Sequence, residues 1–286
     1  MMNQIRSMAI AATLSFIQPA SAELPMLEQP WLGYFAVAQE RNFQFLFSSK
    51  GGFNLMVLDH QGAPIQQSIG LQFLGLETLP DGSIKELPMA LDTFESSDPP
   101  TAKLKKTVFR FKLTDQATGQ AIGQPTMEGT IEIISGTVLA NARIIDKGAS
   151  DKNPIQPVIR TIFTAFYVNE NIHKESWDKK QVKEFEKRIG ADSVTLKHLD
   201  EKRVKLVCVD KTDPKSKEVN GGGSSLAEVE ISFYQKRKIE LLAAPNSSLT
   251  LCNAGPAPLH HGFWFQWSAD AAKDPDGKAK LALRIQ

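Results

Sequence analysis

Two adjacent histidines, His260 and His261, stand just before the densest aromatic run of the chain, Phe263-Trp264-Phe265-Gln266-Trp267. Imidazoles ligate metals and move protons. An indole presented on a strand stacks on a sugar ring or an apolar partner. Period two puts Phe263, Phe265 and Trp267 on one face of a strand, and Trp264 with Gln266 on the other. If the first face is core, Trp264 is exposed or half-exposed. Trp31, in Gln29-Pro30-Trp31-Leu32-Gly33-Tyr34, reads as a similar edge residue. Trp264, His260, His261 and Trp31 are therefore the candidate ligand-binding residues. The competing reading makes the rings core filler and the histidines polar loop residues. Adjacent residues on a strand point to opposite faces, so the two imidazoles are not expected to share a metal.

Other chemistries leave no local mark. The chain lacks a G-x-S-x-G nucleophile turn, an H-E-x-x-H zinc helix and a G-x-x-x-x-G-K-[ST] phosphate loop. No C-x-x-C or Cys/His cluster is present, so neither a metal nor another cofactor is expected. Catalytic residues stay unassigned, because glycosidase carboxylates meet across a cleft without any local motif. Glu128 with Glu132, and Glu228 with Glu230, read as the polar side of strands. The only cysteines, Cys208 and Cys252, both sit in apolar strand-like runs. In an oxidising compartment such a pair is a disulfide candidate, with two separate buried thiols as the alternative. The basic clusters Lys103-Leu104-Lys105-Lys106 and Lys236-Arg237-Lys238 lack interleaved aromatics, so nucleic acid is not an expected partner.

These residues must be positioned by strands. Phe43, Phe45 and Phe47, Phe109, Phe111 and Leu113, Val229, Ile231 and Phe233, and Leu281, Leu283 and Ile285 each alternate with other residues, mostly polar ones. Turn signals separate the runs, among them Asp59-His60-Gln61-Gly62 and Pro80-Asp81-Gly82. The pattern predicts a mainly β protein, an antiparallel sandwich or barrel-like set of sheets. One short surface helix is expected at about 177–189, where Trp177, Val182, Phe185 and Ile189 recur near the helical period. Ser176 is its expected N-cap, and Gly190 its stop. The length of 286 residues allows two β-rich regions, 23–150 and 151–286 (the latter with the helix), or one continuous domain. The composition, 42% hydrophobic and 23% charged with a net charge of +1, excludes a disordered chain and any strong overall field.

The N-terminus carries an address. Arg6, the apolar run Met8–Ile17 and the small-x-small end Ala20-Ser21-Ala22 form a signal peptide over residues 1–22, with cleavage after Ala22. The apolar run is too short to span a bilayer, and no later stretch approaches spanning length. The expectation is an extracytoplasmic chain, periplasmic or secreted. Its expected role is a non-catalytic binding or structural module for a glycan or protein partner. The alternative is a hydrolase of an extracellular polymer.

Overall fold

The computed structural model describes residues 34–48, 51–96, 105–115, 123–149, 153–163, 176–209, 224–233, 237–253 and 258–286. Trp31 and the expected leader, residues 1–22, lie outside them. The described residues are mostly strand, with one α-helix among them. The strands are β1 (Tyr34–Gln39), β2 (Phe43–Ser48), β3 (Phe53–Leu58), β4 (Pro64–Thr78), β5 (Ile84–Pro88), β6 (Glu95–Ser96), β7 (Lys106–Lys112), β8 (Thr126–Ile134) and β9 (Thr137–Asp146). They continue with β10 (Ile155–Phe163), β11 (Ser193–His198), β12 (Arg203–Val207), β13 (Leu226–Phe233), β14 (Arg237–Ala243), β15 (Ser247–Cys252), β16 (Phe263–Ala269) and β17 (Leu281–Ile285). The helix, α1, is Lys179–Ile189.

All strand pairings are antiparallel, and they make one curled sheet in two layers. The first layer runs β1-β2-β3-β4-β10-β16-β15, with β5 beside the C-terminal half of β4. The second runs β12-β11-β13-β14-β17-β9-β8-β7-β6. The layers join where Leu226 of β13 meets Leu249 of β15 and where Met89 bridges Leu113. Because β10 pairs with β4 and β17 with β9, strands from both sides of residue 150 share each layer.

Alternation decides which residues go inside. On β7 the pattern is strict, with Thr107, Phe109 and Phe111 buried and Lys106, Arg110 and Lys112 exposed. On β16, Phe263, Phe265, Trp267 and Ala269 are buried, and Trp264, Gln266 and Ser268 are half-buried. The layers meet through aromatic rings. Phe109 of β7 packs at 4.7 Å from Phe53 and 4.9 Å from Phe73, centroid to centroid. Such tilted and edge-on contacts add to the area that the rings bury. On β2 the alternation is incomplete: Leu46, expected on the polar side, is fully buried.

The helix starts two residues later than its pattern suggests, and Ser176 is not its cap. Asp178 Oδ1 accepts from the Gln181 backbone N–H at 2.8 Å, and Gln181 Oε1 accepts from the Asp178 N–H at 2.9 Å. This reciprocal pair satisfies two donors at once, which a lone serine further out does not. Trp177 and Phe185 pack at 5.1 Å and seat the helix on the sheet, and the Gly190 N–H bonds the Glu186 carbonyl at its end. No helix among the described residues is long and apolar enough to cross a membrane.

The expected disulfide is a second correction. No bond joins Cys208 to Cys252. Cys208 is fully buried in the main core, whereas Cys252 alternates with the core residue Leu251 and stands beside Trp264 on the opposite face of its layer. Two thiols on opposite faces of a sheet cannot meet the short Cβ separation that a disulfide needs.

Candidate functional site

The face of the first layer turned away from the main core carries the residues best placed to meet a ligand. On β10, Arg160 and Ile162 stand opposite Gln266 and Trp264 of β16, while Val158, opposite Ser268, is fully buried. Beyond them on β15 come Ser248, Thr250 and Cys252. Arg160 has only 14% of its side chain exposed and is held from two sides. Its Nη1 donates to Glu86 Oε2 at 2.9 Å, its Nη2 donates to Glu86 Oε1, and Nε and Nη2 each reach Gln266 Oε1 at 3.3 Å. The guanidinium carbon lies 6.0 Å from the centre of the Trp264 ring, within cation–π range.

This geometry fixes the protonation states. The hydrogen bonds from Arg160 hold the Glu86 carboxyl below its ordinary range, against a smaller opposing effect of burial. Burial pushes the Cys252 thiol up, and the Arg160 charge and the Trp264 indole only partly offset it. Cys252 is therefore held as the thiol at neutral pH. Because Arg160 can only donate, Gln266 turns its oxygen inward and its Nε2 donors away from the guanidinium.

The structure gives Trp264 and His260 different surroundings. Trp264 is half-buried on this polar face, as its period predicts. His260 is 5% exposed, and its Nδ1 lies 3.1 Å from the Cys208 carbonyl oxygen. Its ring stands edge-on to His261 at 4.4 Å and to Phe185 of α1 at 6.4 Å. His261 alone of the pair is exposed. His260 thus serves the corner where α1 docks. Sequence reasoning missed Arg160 and Glu86. The available signal was a lone charge inside the apolar strand Val158-Ile159-Arg160-Thr161-Ile162-Phe163; nothing local marked Glu86.

The second layer's outer face is ionic instead. Glu128 is pushed up by burial, but Arg110 and Arg143 on either side more than reverse this and hold it low. Carboxylate oxygens of Glu228, Glu230 and Glu240 come within 4.8 Å of one another. Lys238 already compensates two of them, at 3.1 Å from Glu230 and 2.9 Å from Glu240.

Comparison with solved structures gives the architecture. The alpha-N-acetylgalactosaminidase NagBb from Bifidobacterium bifidum, in its Gal-NHAc-DNJ complex, aligns with a TM-score of 0.57 at 12% identity, over 88% of this chain and 36% of that one. The GalNAc complex of the same protein gives 0.54 at 11% identity over the same shares. A galactose mutarotase-like protein from Lactobacillus casei ATCC 334 aligns over 89% of this chain and 99% of its own, at 12% identity and a TM-score of 0.47. The chain spans about a third (36%) of the length of the glycosidase it resembles. No protein-family model matches the sequence, and no curated protein does. The likeness is one of fold: this chain is a two-layer antiparallel β-sandwich of the kind found within that glycosidase.

Proposed function

We propose that this chain is an exported, non-catalytic carbohydrate-binding module whose sugar rests against Trp264, with Gln266 and Glu86 meeting its hydroxyls. The observation that carries this reading is Trp264 itself: a half-buried indole on a face turned away from the core, flanked by a fixed amide and a fixed ion pair. An aromatic ring bordered by oriented donors and acceptors is what a sugar's apolar ring face and hydroxyl rim require. That the fold also occurs in a protein solved with GalNAc supports a carbohydrate ligand. Export rests on the leader pattern of residues 1–22.

The hydrolase alternative would need a residue other than Glu86 as its general acid. A general acid at neutral pH needs a raised pKa. Glu86, the carboxylate beside this tryptophan's neighbours, is instead held low by Arg160.

A thermal-shift screen of the purified protein against glycans tests the reading. A ligand at a hundred times its dissociation constant adds about 2.7 kcal/mol to stability, which a melt resolves. Trp264→Ala is expected to remove the shift. A glycan shift that survives Trp264→Ala unchanged would overturn the site, and a flat response to every glycan would overturn the function.

A further inference from the structure

The polar face offers more than one ring's worth of contacts. Thr250 of β15, Gln266 of β16, Arg160 of β10 and Gln72 of β4 stand directly opposite one another, strand to strand. Neighbouring strands lie about 4.8 Å apart, so this row extends about 14 Å. The next row along the strands is Cys252, Trp264, Ile162, Gly70 and Asn54. At Gly70 the row dips: even a Cβ built there would stay 3.6 Å from both Asn54 Oδ1 and Ile162 Cβ. The dip lies one strand beyond Ile162 from the tryptophan, next to the exposed Gln72.

Within these two rows Arg160 carries the one formal charge, and Glu86 neutralises it through the two terminal guanidinium nitrogens. The remaining polar groups are amides and hydroxyls. The matching rows on the second layer are ionic, Arg110–Glu128–Arg143 and Glu230–Glu240–Arg284. A carboxylated or phosphorylated ligand would meet no uncompensated cation among the described residues of these two rows, while a chain of neutral hydroxyls would meet donors and acceptors along its length.

We infer that the site takes a neutral oligosaccharide of at least two units, laid across the strands from Trp264 to Gln72. Gln72 is then a ligand contact at the far end. This inference rests on the reading of Trp264 as the sugar platform and adds the length, the charge and the direction of the ligand.

Isothermal titration of the full chain distinguishes the two. The probes are glucose, galactose, maltose to maltotetraose, cellobiose to cellotetraose, and tetragalacturonate. One neutral tetramer is expected to bind at least tenfold tighter than its own monosaccharide and tighter than tetragalacturonate. Gln72→Ala should weaken that tetramer about three- to tenfold, the range for one lost hydrogen bond, and leave the monosaccharide unchanged. Equal affinity for monomer and tetramer, equal or no loss on both in Gln72→Ala, or preference for the acidic tetramer would overturn the inference. If Trp264→Ala still abolishes binding in those cases, the tryptophan platform stands alone. Binding that ignores Trp264→Ala, or the absence of binding by every probe, overturns both.

Discussion

Thr161 is fully buried on the core side of β10, opposite Leu71 and Phe265, and its hydroxyl has no hydrogen-bond partner among the described residues. An unpaired buried hydroxyl carries its desolvation cost with no return, and valine has nearly the same shape. Thr161→Val is therefore expected to be neutral or to stabilise by up to about 1 kcal/mol, read from the midpoint of a urea transition. Glu86 permits a pH prediction. Its folded pKa lies below its unfolded one, so its pair with Arg160 is intact above the ordinary carboxylate range and is lost only as pH falls through the lowered value. Sugar affinity should stay flat from pH 7 to about pH 5 and fall in stronger acid. A fall between pH 6 and 7, seen by titration, would overturn the assignment of the pH dependence to Glu86. The position of Trp264 was legible from period two alone. Its charged neighbours were not, because Arg160 meets Glu86 only once β10 has paired with β4 and β4 with β5.

At the scale of elements, β8 shows how a strand gives up a side chain to a neighbour. Gly129 lies opposite Phe109 of β7, and a Cβ added there would overlap the phenyl ring. A ring that also packs on Phe53 and Phe73 has no room to retreat. Gly129→Ala is expected to cost about 1–3 kcal/mol, the usual range for overpacking, measured by chemical denaturation. The strands themselves were readable wherever core and polar residues alternate, as on β7 and β17. The helix was readable to within two residues, and its cap was missed because Asp178 and Gln181 satisfy each other's backbone groups. Leu46 escaped because burial on both sides of a strand erases the alternation that signals it.

At the scale of the molecule, alternation and the spacing of turns pointed to an antiparallel sandwich or barrel, and they left the strand order open. Order depends on contacts between distant segments, such as Arg237 of β14 donating to the Leu58 and Asp59 carbonyls at 2.7 Å each. That arginine, 8% exposed, ties the second layer to the turn that follows β3 in the first. The disulfide expectation failed at the same scale, since which face Cys252 occupies is settled by its whole layer. The two outer faces also answer differently to ionic strength. Added salt screens the exposed guanidinium and lysine pairs of the second layer. It has little to act on in a row of amides and hydroxyls whose one cation is already compensated. On the proposed reading, affinity for a neutral sugar is therefore expected to be the same in dilute and in concentrated salt, as titration at two ionic strengths would read.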